Sequence, residues 1–390
     1  MKLFSRTDDE KDEINKSIEN LINSFQIYNG NKYSTDFPNI VNYIRFYNPL
    51  LNDKEIVNQE NILESFKENQ RYFTLTNMEP IQELLDIGEE KDNEGSTTCF
   101  SEMDLPHLSL DNIWDSLVFP EGIKRKIIGY TNSLLKFANS SISNDIVASN
   151  KFILFHGPAG TGKTSLAKAF AQKMSIRLNT IYKRSILLEI NCHSLFSKWF
   201  SQSAKLVSQL FEKVLNTYAI NKNVMVFVLI DEIESIGLSR EKSMTKNDPG
   251  DVVRVLNSLL TNLDKAKSYS NIIFIGTSNM DNVLDEALSD RLDLSINIGN
   301  PTPNAIYIIL KEIIEELISK GILISDGIMI TPLEDIENGN EESLKLFKKC
   351  ELLHSRNISA RKLRKIPLIS FAETYSEKMT ILSFINSIAK

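Results

Sequence analysis

The stretch "KFILFHGPAGTGKTSLAKAFAQKM", Lys151 to Met174, decides the fold. It opens with a short apolar run of strand type, breaks at a glycine-rich turn, and continues as a string of helix formers. From Gly157 to Thr164 it satisfies G-x-x-x-x-G-K-[ST], the spacing of a P-loop. Glycines at these positions let backbone N–H groups close around a phosphate, and the positive end of the following helix adds to the field. Gly157, Pro158, Ala159, Gly160, Thr161, Gly162, Lys163, Thr164 and Ser165 are therefore the candidate cradle for ATP. Lys163 is expected to bridge the β- and γ-phosphates, and the Thr164 hydroxyl to ligate Mg²⁺.

The surrounding sequence repeats the strand-then-helix rhythm. "SILLEINC" precedes "SQSAKLVSQLFEKVL", "VMVFVLID" precedes "VVRVLNSLLTNLD", and "NIIFIGTSN" and "LSINIGN" follow. Near-continuous apolar strands alternating with helices predict an α/β fold with a parallel sheet covered on both faces. After Pro301 and Pro303 the strand signals stop, and "NAIYIILKEIIEELISK" begins a tail read as a small helical domain. On the other side, residues 1 to about 85 are polar and Asn-rich. There "DEINKSIENLINSF" reads as an amphipathic helix, with Ile14, Ile18, Leu21 and Ile22 at helical spacing, and "FPNIVNYIRFY" reads as strand. The acidic run "QELLDIGEEKDNEGSTTCFSEMD", Gln82 to Asp104, reads as a solvated linker and a domain boundary. The expected division is a smaller α+β N-terminal domain over 1–95, a linker over 96–110, a large nucleotide-binding domain over 111–300 and a helical lid over 301–390.

Three further motifs belong with the P-loop. "VMVFVLIDEIES" is a buried-type strand that delivers two adjacent carboxylates, which is costly without a cation nearby. Asp231 is expected to hold the Mg²⁺ shell and Glu232 to polarise the attacking water. "FIGTSN" ends the next strand with Asn279, whose amide either orients that water or simply forms a turn. Arg291, in "LDEALSDRLDLSINIG", is a candidate arginine finger for a neighbouring subunit; the alternative is a surface pair with Asp290 or Asp293. In the tail, "SARKLRKIP" offers Arg361 as a sensor of the γ-phosphate, with Arg364 and Lys365 as competitors and a solvated basic face as the alternative.

Composition narrows the class. A net charge of −7 over 390 residues provides no general field for nucleic acid or anionic lipid. A nucleic-acid-handling module of clamp-loader or helicase type is the rival reading, and it would need a local basic channel. Cys99, Cys192 and Cys350 lie far apart without CxxC spacing, and His107, His156, His193 and His354 are equally scattered, so neither a disulfide framework nor a zinc site is expected. No apolar run approaches the ~20 residues of a membrane span and no secretory signal is visible, so a cytosolic or nuclear protein is expected.

These residues together resemble the AAA+ ATPases. "NIWDSLVF", "HGPAGTGKTSLAKAFAQKMSIR", "LLEINCHSLFSKWFSQSAKLV" and "VFVLIDEIESI" are similar to the pachytene-checkpoint ATPases, the family of thyroid receptor-interacting protein thirteen. The similarity is dense from about Leu105 to Pro303 and thinner in "SARKLRKIP". The resemblance implies a homohexamer that uses ATP and Mg²⁺ to open HORMA-domain proteins, directly or through a HORMA-type adaptor bound by the N-terminal domain. It also implies duties in meiotic chromosome-axis control and the spindle checkpoint, hence the nucleus at chromosomes and the cytoplasm. No membrane and no direct nucleic-acid partner are expected. In such a ring Lys198, Trp199 and Phe200 would line the central channel and grip the substrate chain, the alternative being that Trp199 and Phe200 are buried under the following helix; residues 238–251 are a candidate second channel loop or a plain mobile connector.

Overall fold

A computed structural model describes residues 32–34, 43–45, 75–76, 78–85, 97–120, 122–139, 149–192, 203–237, 249–280, 285–325, 327–374 and 379–388. The helix expected over 12–25 lies outside them. Strands β1 (Lys32–Ser34) and β2 (Tyr43–Arg45) pair antiparallel, and β2 falls in the stretch read as strand.

The main sheet has seven strands: β3 (Ile81–Leu85), β4 (Thr97–Leu105), β5 (Phe152–His156), β6 (Arg184–Asn191), β7 (Val224–Asp231), β8 (Ile272–Ser278) and β9 (Leu294–Asn297). Their order across the sheet is β3-β4-β6-β7-β8-β5-β9. The five strands from β6 to β9 run parallel, as expected. Strands β3 and β4 add an antiparallel edge. Residues 96–110, expected as a linker, thus contain a nine-residue sheet strand. Its acids had suggested solvent, but each has a partner far away in sequence. Glu102 accepts from the Tyr218 hydroxyl at 2.6 Å and from Arg184 at 2.9 Å, and Asp104 accepts from Arg184 Nε at 2.7 Å.

The period of two along a strand sorts the apolar side chains onto two faces. Phe152 and Leu154 of β5 join Val226, Val228 and Phe274 on one face. Helices α4 (Ser203–Lys213), with its π-helical continuation Val214–Ala219, and α6 (Pro249–Ala266) cover that face. Ile153 and Phe155 join Phe227, Leu229 and Ile275 on the other face, covered by α2 (Ile123–Asn139) and α3 (Lys163–Leu178). Three short helices complete this unit: α1 (Ile113–Ser116), α5 (Glu234–Gly237) and α7 (Glu286–Ser289).

The tail forms its own core from α8 (Pro303–Ser319), α9 (Glu341–Ser355), α10 (Ala360–Leu363), α11 (Ile366–Thr374) and α12 (Ile381–Ser387). Helix α8 starts sharply because Thr302 caps it and Pro303 occupies its first turn. The expectation that strands end at Pro301 needs one amendment: β10 (Leu323–Ile324) and β11 (Met379–Thr380) form a two-residue parallel pair. A strap joins the two units. Leu117 and Phe119 pack on the sheet core beneath α3, while Val118 between them packs into the helical core. Among the described residues no helix is long and apolar enough to cross a membrane.

Candidate active site

The parallel strands all deliver their C-terminal ends to one edge, where open α/β sheets bind ligands. At that edge β8 lies between β5, which leads into the P-loop, and β7, which ends in Asp231. Three loop glycines hold positive φ, and two of them are also pressed by neighbours. Gly157 has φ +134°, and a Cβ there would run into the carbonyl of Ile298. Gly160 has φ +80°, and a Cβ there would crowd Ser359 Oγ and Arg361 Cβ at 3.1 and 3.2 Å. Lys163 is 4% exposed, and its ammonium donates to the carbonyls of Gly157 at 2.9 Å and Pro158 at 2.7 Å, across the mouth of the loop. Leu117 and Phe119 of the strap approach Gly162.

The Thr164 hydroxyl donates to Asp231 Oδ1 at 2.8 Å, so the two residues expected at the metal meet. Their donors are all oxygen, the chemistry a hard cation such as Mg²⁺ requires. Glu232 is exposed, and its backbone takes φ +54°, an unusual conformation for a residue with a Cβ. Asn279 follows β8, and its amide N–H donates to Glu234 Oε1 at 3.0 Å. Among the described residues the other oxygen of Glu234 is buried and has no hydrogen-bond partner.

The two arginines that competed in the tail separate. Helix α10, capped by Ser359, lands on the P-loop, where the Arg361 amide donates to the Gly160 carbonyl at 3.0 Å. Arg364 instead reaches the Ser116 carbonyl in front of the strap. Arg291 pairs with neither Asp290 nor Asp293. Its Nε and Nη2 donate to the two oxygens of Asp264 at 3.1 and 2.7 Å, and Nη1 donates to the Ala287 carbonyl at 2.8 Å. Asp293 is otherwise engaged, accepting from Tyr130, Asn150 and the Lys151 amide. The Arg291 hydrogen bonds hold the Asp264 carboxyl below its ordinary range. That stabilisation is present above the ordinary value of ~3.9 and fades only as pH falls through the depressed one, so the pair is intact at neutral pH.

Lys198, Trp199 and Phe200 lie outside the described residues, as do residues 238–248 of the second candidate loop. Sequence reading passed over Asp264, Glu234 and Thr277. The one available signal was the third acid in "DEIES".

Cys192 follows β6 beneath the acids. Burial first, and then Asp231, Glu234 and Glu232, push its thiol well above the ordinary range. Burial also pushes the Cys350 thiol up to about 12. Neither thiol should react with iodoacetamide at pH 8 in the folded protein, whereas the unfolded chain should titrate three. Mass mapping of the labelled cysteines checks this, and rapid native labelling of Cys192 would contradict its burial.

A P-loop, an acidic strand end and a helical lid touching the loop, built on five parallel strands, define a AAA ATPase. Residues 153–300 match the family described as "ATPase family associated with various cellular activities (AAA)". More narrowly, the chain belongs to the pachytene checkpoint protein 2 family. The Homo sapiens "Pachytene checkpoint protein 2 homolog" is 33% identical over 388 residues, 97% of this chain and 88% of its own. The Arabidopsis thaliana "Pachytene checkpoint protein 2 homolog" is 41% identical over 298 residues, 72% of this chain but only 62% of its own. Among solved structures, "Structure of C. elegans PCH-2" has a TM-score of 0.78 at 28% identity, covering 99% of this chain and 95% of that one. A chain of "Structure of E. coli MS115-1 HORMA:CdnC:Trip13 complex" shares the fold at a TM-score of 0.55 and 14% identity, covering 74% of this chain and 93% of that one.

Proposed function

We propose that this chain hydrolyses ATP as one subunit of a homohexameric ring and uses the cycle to open folded HORMA-domain proteins, directly or through an adaptor. The observation that carries the ring is the position of Arg291. Asp293, two residues on, bonds to the carbonyl of Phe152 at the start of β5, while the P-loop begins beyond its end. Five strand residues at ~3.3 Å each separate them by about 16 Å, beyond the reach of one side chain. The guanidinium therefore serves an active site only if that site belongs to another copy.

Within each site, Lys163 and the loop amides would neutralise the β- and γ-phosphates. Glu232 would orient and deprotonate the attacking water, with Asn279 holding it against the γ-phosphate. When bound, Mg²⁺ supplies charge neutralisation between phosphate oxygens, and Thr164 and Asp231 are the residues to hold it. Arg361, whose helix rests on the P-loop, would carry nucleotide state to the lid. Lid motion would then move Lys198, Trp199 and Phe200 against the substrate chain. A domain's whole stability is only ~5–15 kcal/mol, and opening a local segment costs part of it, so a few cycles suffice without complete threading.

The substrate class takes its support from the family and from the E. coli complex, in which a chain of the same fold accompanies HORMA. Such substrates would put the work at meiotic chromosomes in the nucleus and at the spindle checkpoint.

Incubating the protein with a folded HORMA-domain protein and ATP tests this reading. Hydrogen exchange should report ATP-dependent opening of the substrate. Trp199→Ala should keep its ATPase activity and lose that opening. Undiminished opening by the variant would remove the grip, and hydrolysis stimulated by DNA but not by the HORMA protein would favour the nucleic-acid rival.

A further inference from the structure

Thr277 lies one residue from the end of β8, the strand between the P-loop strand and the Asp-Glu strand, and is 2% exposed. Its hydroxyl makes two bonds of opposite sense. It accepts the Glu232 amide N–H at 3.1 Å and donates to Oδ1 of Asp231. An amide N–H can only donate, so the hydroxyl's single hydrogen is committed to the carboxylate. One residue further, the Thr277 carbonyl accepts the Ile233 amide at 2.9 Å.

These bonds hold a conformation that the chain would not otherwise keep. At φ +54° Glu232 sits in the left-handed region, where its Cβ crowds the following carbonyl oxygen. Released from Thr277, the turn would relax toward ordinary φ and swing the Glu232 carboxylate away. The same hydroxyl fixes Asp231. Among the described residues both of its side-chain donors, Thr164 and Thr277, go to Oδ1, which leaves Oδ2 as the oxygen to meet a hydrated cation.

We infer that Thr277 is a positioning residue for hydrolysis, setting the metal-facing and water-facing carboxylates in one register. This rests on the roles given above to Asp231 and Glu232. The residue acts through its hydroxyl, on the Asp231 carboxylate and the Glu232 amide.

The test compares Thr277→Val, which keeps the shape, with Thr277→Ser, which keeps the hydroxyl. Val should lower kcat about ten- to a hundredfold, the usual effect of losing a group that orients a metal site. KM, and the affinity for a fluorescent ATP analogue, should stay near wild type. Ser should restore most of the turnover. Should Val fold poorly, Thr277→Ala relieves any crowding and must show the same loss.

Wild-type turnover in both hydroxyl-less variants overturns the inference. So does a Ser variant as slow as Val, or a fall in nucleotide affinity that matches the fall in kcat. Glu232→Gln is assayed alongside. A slow Gln variant beside a fast Val variant rejects Thr277 alone, whereas a fast Gln variant rejects the role of Glu232 itself.

Discussion

Glu232→Gln is expected to slow ATP turnover by about two to four orders of magnitude, the range associated with losing a positioned general base. The amide has almost the same shape as the carboxylate but cannot take a proton from water. The backbone that aims it should not change, because the ties from Thr277 reach the Glu232 and Ile233 amides and ignore the side chain. Lys163, Thr164 and the loop glycines are likewise untouched. Nucleotide should therefore bind with wild-type affinity and remain uncleaved, which makes this variant a trap for whatever the ring engages. Phosphate release and analogue binding measured on one preparation decide the matter. Turnover near wild type would strip Glu232 of its role and send the search for the base elsewhere.

For Arg291→Ala the expected loss is about a thousandfold or more, in line with arginine fingers in other phosphoryl-transfer sites. Arg291→Lys should rescue little, since an ammonium cannot satisfy both oxygens of Asp264 and still present a planar donor set outward. The informative experiment mixes two inactive proteins. An Arg291→Ala subunit keeps a sound P-loop and lacks the finger; a Lys163→Ala subunit lacks a working P-loop and keeps the finger. Where the two become neighbours in the right order, a complete site forms between them. Activity appearing only on mixing would establish that the arginine acts across an interface. A mixture as dead as its components, under conditions where the proteins do assemble, would return Arg291 to a structural role at the end of α6.

What the sequence made readable was whatever local pattern encodes. "FILF", Phe152 to Phe155, is apolar throughout because both faces of β5 are covered, and the glycines after His156 carry the spacing of a phosphate loop. The positions of Asp231, Glu232 and Asn279 at strand ends were legible for the same reason, whereas Arg361 stayed in competition with Arg364 and Lys365 until α10 was seen against the P-loop. Strand β4 was hidden because its evidence is non-local. Glu102 and Asp104 read as solvated until Arg184 and Tyr218, 80 or more residues away, are brought beside them. Asp264 looked like one more surface acid at a helix end, since nothing nearby announces that Arg291 will fold back onto it. Thr277 was harder still. A β-branched residue in an apolar strand is ordinary filler, and only the sheet order, with β8 lying between the two motif strands, gives its hydroxyl something to hold.

The strap from Leu117 to Phe119 limits how the lid can travel. Val118 is seated in one core and its two neighbours in the other, so the three residues work like a rivet through two plates. Sliding or lifting the plates apart would pull at least one apolar side chain into water, at up to about 1.5–3 kcal/mol each. Turning about the rivet exposes none of them. Swivelling is therefore the inexpensive displacement, and its pivot lies beside Gly162, so a small rotation at the cleft becomes a long arc at the lid's outer rim.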